Sequence, residues 1–271
     1  MLPPFYMAHK IAFANQKGGV GKTTSAISIG AELARLGRKV LLIDLDPQCS
    51  ATSGLGCQVL PEGQDIYDLF LGAMKLEDVI VSTKIENLDL IPCSKDLVSL
   101  EVEIGKRPGR ELILKTGLTL LSRDYDYIFM DCPPSSGLLT LNALGASDHV
   151  IIPLQAEYYA LEGLSALMNT IQFVQQTFNP QLSIVGVFIT MFDARTNLSL
   201  QVEGEAKNYF QAAMFETRVP RNIKVSEAPS HGLPIGLYDA ASPGAVAYRK
   251  LATELDARCF GGSELTRAVN E

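Results

Sequence analysis

Six short runs set the frame for this chain: IAFAN (11–15), KVLLIDL (39–45), LDLIPC (88–93), DYIFMD (126–131), HVIIPL (149–154) and LSIVGVFIT (182–190). Each is nearly all apolar, so as a strand it must be covered on both faces, the condition met in parallel sheets layered with helices. The longer amphipathic stretches between and after them supply that cover. Lys22 to Leu36, stopped by Gly37, reads as the first helix, followed by Gly109 to Ser122, Glu162 to Phe178, Leu198 to Phe210 and Pro243 to Arg258. The expected fold class is α/β, a mostly parallel twisted sheet flanked by helices.

At about 150 residues per domain, a length of 271 also suits one large α/β unit. We expect a short extension over 1–9, a single domain over 10–259 and a flexible tail over 260–271. Hydrophobic residues at 47% and charged residues at 20% suffice for a core and argue against disorder. No apolar run approaches the roughly 18 residues of a membrane helix, and the first nine residues lack a basic leader, so a cytoplasmic protein without a membrane partner is expected. Cys49, Cys57, Cys93, Cys132 and Cys259 are odd in number and contain no CxxC pair, which signals neither a disulfide framework nor a zinc or iron–sulfur site. Two loop-rich regions, Cys49 to Gly63 and Thr217 to Ser242, are long enough to be functional.

Between the first strand and first helix lies Asn15-Gln16-Lys17-Gly18-Gly19-Val20-Gly21-Lys22-Thr23-Thr24. Its glycines let backbone N–H groups curl around an anion, and the helix N-terminus adds its positive end. In a phosphate loop of this kind Lys22 reaches the β- and γ-phosphates and the Thr23 hydroxyl serves Mg²⁺. The strict pattern GxxxxGK[ST] fails at its first position, where Gln16 stands, and Gly18 and Gly19 supply the flexibility instead. Carboxylates follow at strand ends, where open α/β sheets bind ligands. Asp131 closes the apolar run DYIFM, a Walker B pattern that holds the Mg²⁺ shell through water. Asp44 and Asp46, two apart in extended backbone, face the same side.

With its second lysine at Lys17, KGGVGKTT resembles the deviant Walker A loop of the ParA/Soj and MinD group of P-loop ATPases. LLIDLDPQCSATSGLG (41–56), FMDCPPSSGLLTLNAL (129–144), PLQAEYYALEGLSAL (153–167), TMFDARTNL (190–198) and VPRNIKVSEAPSHG (219–232) extend the match from about Lys10 to Arg258 and resemble Soj-type chromosome-partition proteins. NQKGG, with Gln16 where MinD-like members carry glycine, is similar to the ParA/Soj branch. The resemblance implies a P-loop architecture, Mg²⁺ and ATP as cofactors, and nucleotide contacts along Lys17, Gly18, Gly19, Val20, Gly21, Lys22, Thr23 and Thr24. It gives Asp46 the positioning of the attacking water and Asp44 a supporting role toward the metal. An ordinary loop needs only Lys22, so Lys17 either caps its own loop or acts on a neighbour's nucleotide, and the resemblance favours the second, across a two-fold interface in an ATP-dependent homodimer. Pro220 and Asn222 match the segment that lies against the adenine.

The same resemblance implies non-specific binding of double-stranded DNA, association with the nucleoid and a ParB-like centromere-binding partner. A net charge of −7 opposes this, and the stretch from Met191 to Lys224, with Arg195, Lys207, Arg218, Arg221 and Lys224 against four carboxylates, is only one charge positive. Arg195 and Lys224 match family positions that carry DNA binding, with Arg218 and Arg221 beside them. Two protomers aligning such stripes only in the ATP state would turn a weak patch into a switch. An orphan positioner of a protein cargo uses the same cycle. A MinD-like membrane regulator needs a basic amphipathic C-terminal helix, and GGSELTRAVNE is a poor one. An amino-terminal DNA-reading domain is not expected, since the loop begins seventeen residues from Met1, and Met7 is an alternative start. Cys132 reads as a small core residue, His231 as a residue fixing loop geometry, and Tyr158 and Tyr159 as either a family signature or a packed aromatic pair.

Overall fold

The computed structural model describes residues 8–57, 64–157 and 160–261, and all six apolar runs form strands. In chain order the strands are β1 (His9–Phe13), β2 (Val40–Asp44), β3 (Val81–Ser82), β4 (Leu88–Ile91), β5 (Tyr127–Asp131), β6 (His149–Gln155) and β7 (Ser183–Thr190). They make one sheet in the order β3-β4-β2-β5-β1-β6-β7, parallel throughout except where β3 pairs antiparallel with β4. β3 was not expected: two residues carry no readable alternation, and the strand exists because it caps the edge of the sheet.

The helices are α1 (Lys22–Arg35), α2 (Ser50–Gly54), α3 (Ile66–Leu71), α4 (Leu100–Glu103), α5 (Ile113–Thr119), α6 (Leu138–Ala146), α7 (Ala160–Thr177), α8 (Asn197–Phe210), α9 (Ile223–Glu227), α10 (Ile235–Tyr238) and α11 (Pro243–Phe260). Alternation along the strands builds two cores. Ile11, Phe13, Leu42, Tyr127 and Phe129 face α1 and α11, whereas Ala12, Leu41, Ile43, Ile128 and Met130 face the layer of α5, α6 and α7. The helix α6 escaped sequence reading because LLTLNALGA is buried on nearly every side, which erases the polar face that reveals an amphipathic helix. The stretch expected as one helix from Gly109 divides into a 3₁₀ turn over Arg110–Leu112 and α5.

The regular elements reach one residue past the expected bounds of 10 and 259 at each end. His9 already belongs to β1, and Phe260, placed in the tail by sequence, ends α11 and packs edge-on against Tyr127 and His9. Residues 262–271, 1–7, 58–63 and the pair Tyr158 and Tyr159 lie outside the described residues. The loop region Thr217 to Ser242 carries the short helices α9 and α10 joined by a 3₁₀ turn.

The chain leaves β1 toward β2 on one side and leaves β5 toward β6 on the other, although β1 and β5 are neighbours. Their loops therefore diverge at the carboxyl ends of the central pair, where a doubly wound sheet opens its ligand crevice. Register completes the arrangement: Phe13 pairs with Asp131, and Asp131 pairs with Asp44 across β5 and β2.

Candidate functional site

The loop after β1 is shaped by two left-handed residues. Gly19 and Gly21 have φ of 75° and 89°, a region that strains any side chain, and between them Val20 is buried. Three clamps hold the curl. The Asn15 amide donates to the Pro153 carbonyl at 2.8 Å, its Oδ1 accepts the Lys17 N–H at 3.0 Å, and the Thr190 hydroxyl donates to the Val20 carbonyl at 2.9 Å. Gln16, where the strict pattern has glycine, sends its amide out of the loop to the Ser136 hydroxyl. Inside the curl Lys22 is buried at the first position of α1, its ammonium donating to the Lys17 carbonyl at 3.1 Å. Burial lowers its pKa, while the charges of Asp131, Cys132 and Asp46 pull the other way. An anion seated on the loop's N–H groups would meet this cation directly.

Three aspartates converge beside it. Asp44 is completely buried, yet its oxygens are engaged: Oδ1 accepts the Asp46 N–H at 3.2 Å, and Oδ2 accepts the Thr52 N–H at 2.8 Å and the Thr52 hydroxyl at 2.7 Å. Burial still raises its pKa to about 6, against the lowering by Thr52. Asp131 is equally buried, and neither of its oxygens has a hydrogen-bond partner. Burial and the neighbouring Asp44 push it well up, opposed by Thr23 and Lys22. Asp46 is half-buried and opens the next loop, its Oδ1 accepting the Gln48 N–H at 3.0 Å. A buried carboxylate with two orphaned oxygens suits the hydration shell of a magnesium ion, which keeps several waters and takes one or two carboxylates plus phosphate oxygens. No group of three or more acidic, His or Cys side chains arranged to cage a metal occurs among the described residues.

Lys17 turns away from its own loop. Its backbone carbonyl faces Lys22, but its ammonium, about one-third exposed, pairs with Glu157, whose other oxygen takes the Gln155 amide. Sequence reading did not single out Glu157, Asn15, Thr52 or Thr190. All four lie within quoted segments, but their roles depend on contacts across strands that no spacing reveals.

The remaining candidates gather beyond β7. The Phe192 N–H donates to the Val219 carbonyl and the Arg221 N–H to the Phe192 carbonyl, so the loop carrying Arg195 is laced to the segment carrying Arg218, Pro220 and Arg221. Pro220 is half-buried. Asn222 caps α9, its Oδ1 accepting the Lys224 N–H at 2.9 Å. The cations are matched by carboxylates: Arg195 by Asp193 at 2.7 Å, Arg218 by the buried Glu203 at 2.9 Å, and Lys224 by Glu227 at 2.9 Å. Arg221 is exposed and close enough to lower the pKa of Asp193, though less than Arg195 does. His231 stacks on Tyr238 with ring centroids 4.8 Å apart, and Cys132 is buried in the core.

A family model described as an AAA domain matches residues 8–184. The chain is 52% identical over 251 residues to the sporulation initiation inhibitor protein Soj of Bacillus subtilis, covering 93% of this chain and 99% of that protein. It is 51% identical over 252 residues to the chromosome-partitioning ATPase Soj of Treponema pallidum, covering 93% and 98%. Among solved structures, cobyrinic acid a,c-diamide synthase from Mycobacterium smegmatis with bound ADP and magnesium superimposes with a TM-score of 0.81 at 37% identity, over 95% of this chain and 98% of that one.

The buried carboxylates predict an inverted pH dependence of stability. Between the ordinary value of 3.8 and about 6 for Asp44, the folded chain keeps protons that the unfolded chain has released, so its stability falls as pH rises through that window. Asp131→Asn removes one of the two burdens. Calorimetry without nucleotide should show a higher midpoint at neutral pH, by about 2–4 °C per kcal/mol relieved, and a shallower acid slope. An unchanged or lower midpoint would mean that Asp131 carries no buried charge to relieve.

Proposed function

This chain belongs to the ParA/Soj family of chromosome-partitioning ATPases, and from that premise we propose that it is a switch whose ATP form is a dimer holding duplex DNA without sequence preference, released by a ParB-like partner. The chain is an ATPase that works on ATP with magnesium. The observation that supports the dimeric reading is the ion pair of Lys17 with Glu157: the ammonium is partly exposed and held by a carboxylate after β6, so it can be given up to a neighbour's phosphates.

Backbone N–H groups from Gly18 to Thr24 cradle the phosphates, and Lys22 neutralises the β- and γ-oxygens. Thr23 and Asp131 would hold a magnesium ion, with Asp44 behind them, locked by Thr52. When bound, such an ion would offset the negative charge of the phosphates. Asp46, only half-buried and on a separate loop, orients the attacking water. Lys17 of the opposite protomer adds charge in the transition state, as an arginine finger does. Pro220 lies against the base. The side-chain amide of Asn222, whose Oδ1 also caps α9, hydrogen-bonds the edge of the base.

DNA is held along Arg195, Arg218, Arg221 and Lys224. In the monomer the carboxylates Asp193, Glu203 and Glu227 already occupy three of these cations. Phosphates must displace them, which weakens one protomer alone and makes two aligned stripes necessary.

Lys22→Ala should abolish ATP binding, whereas Lys17→Ala should bind ATP and fail to dimerise. Size-exclusion chromatography with ATP separates the two, and a Lys17→Ala protein that still dimerises and turns over normally removes the trans role.

Asp46→Ala should bind ATP, hydrolyse it very slowly and accumulate as dimer. Wild-type phosphate release from this variant would transfer water positioning to Asp44.

Binding of random duplex by ATP-loaded Asp46→Ala protein should weaken with salt, each neutralised phosphate contributing about 0.9 to the slope. Arg195 and Lys224 from two protomers account for a slope of about −3.6. Charge reversal at either should flatten it, and Asp193→Asn, which frees Arg195, should tighten binding. Absence of binding at low salt would favour the orphan positioner of a protein cargo.

A further inference from the structure

Five cysteines without a pairing signal in sequence include two that meet in space. Cys49 and Cys93, 44 positions apart, bring their sulfurs to 3.3 Å. Both are buried, Cys93 completely and Cys49 at 7% exposure. Buried thiols usually serve as small hydrophobes, but these two also hold the site. The Cys93 thiol donates to the Asp46 carbonyl at 3.0 Å, and the Cys49 N–H donates to the same carbonyl at 2.7 Å. The Cys93 N–H donates to the Thr52 hydroxyl at 3.1 Å, the hydroxyl that grips Asp44. Cys49 stands at the N-cap of α2 in a left-handed conformation, φ 53°, just behind the loop opened by Asp46.

We propose that Cys49 and Cys93 form a dithiol–disulfide switch, oxidised by a hydroperoxide, which pins the Asp46 loop to the end of β4 and stops ATP turnover. A disulfide bond is about 2.05 Å long, so the two sulfurs need to approach by about 1.2 Å. Cys49, the more exposed, gives up its proton and attacks one peroxide oxygen as its thiolate; the O–O bond breaks, Cys49 becomes a sulfenic acid, and the departing hydroxide takes up the released proton and leaves as water. The Cys93 thiol then attacks the Cys49 sulfur, the S–OH bond breaks, and the hydroxide departs with the Cys93 proton as a second water. Two thiols have lost two electrons and two protons, and one hydrogen peroxide has become two waters. Burial raises the pKa of both thiols, which keeps the thiolate scarce and the pair slow toward weak oxidants.

The cross-link replaces the Cys93 S–H donor to Asp46 with a covalent tie between the two loops. The P-loop and Lys22 are untouched, so nucleotide still binds. The loss of turnover rests on the role proposed for Asp46; the formation of the disulfide does not.

Full-length protein treated with hydrogen peroxide, then alkylated and digested, should yield a peptide joining Cys49 to Cys93, lighter by two hydrogens than its separate halves. ATP turnover should be lost in step with that peptide and return with dithiothreitol, while binding of a fluorescent ATP analogue persists. Cys49→Ser should keep its turnover through the same treatment, and Cys57→Ser should lose it as wild type does. Peptide mapping of the wild type stands whether or not the variants fold. The proposal is overturned if no such peptide forms, if it forms while turnover is unchanged, or if Cys49→Ser is inactivated equally. A linked peptide with unchanged turnover would count against the switch alone, since Asp46→Ala tests the role of Asp46 independently.

Discussion

Two carboxylates side by side on adjacent strands, both out of water, are the constraint around which this molecule is organised. The pairing of β2 with β5 sets Asp44 opposite Asp131, and the pairing of β5 with β1 brings both to the loop that follows Phe13. Burial of two like charges at that distance is costly unless hydrogen bonds or a cation offset it. Thr52 satisfies Asp44, while Asp131 is left with two bare oxygens facing the region of Thr23 and Lys22. The fold thus concentrates its electrostatic cost where magnesium and phosphate would relieve it. Binding of that pair contributes stability as well as chemistry, since ligands that bind only the folded chain shift the folding equilibrium toward it.

Lys17 illustrates a second use of paired charge. Its ion pair with Glu157 lies near the surface, where such pairs are worth about 0–1 kcal/mol. A contact that weak parks the lysine without trapping it. The same holds for Arg195 with Asp193 and Lys224 with Glu227, all exposed enough to exchange partners readily. Arg218 differs, because Glu203 is buried and also receives Lys207, so releasing Arg218 leaves a carboxylate still paired.

Much of this was legible in the sequence because parallel strands announce themselves as apolar runs and a phosphate loop needs glycine at fixed offsets. Gly19 and Gly21 adopt the left-handed conformations that only their composition makes cheap. Asp44, Asp46 and Asp131 were readable from their places at the ends of apolar runs. What escaped has a common cause. β3 is too short to alternate, α6 is too buried to show a polar face, and Glu157, Thr52 and the pairing of Cys49 with Cys93 arise from tertiary register, which leaves no local pattern. The split of the expected helix at Gly109 follows the same logic, as the left-handed Gly109 starts a 3₁₀ turn before α5 can begin.

The register of β2 and β4 also sets Cys93 beside the segment from Asp44 to Asp46. Val40 to Ile43 pair with Leu88 to Ile91, so Asp44 at the end of β2, Asp46 just past it and Cys93 just past β4 emerge at about the same level of the sheet. Thr52 bridges them, gripping Asp44 with its hydroxyl while accepting from the Cys93 N–H. A displacement at Cys93 therefore reaches Asp44 through one side chain and Asp46 through one carbonyl. Tight packing transmits such a shift and does not absorb it, because a close-packed interior has little free volume in which to dissipate it. The Asp46 loop and the end of β2 consequently move together or stay together, which makes this corner of the sheet the place where a small chemical change would be felt at both.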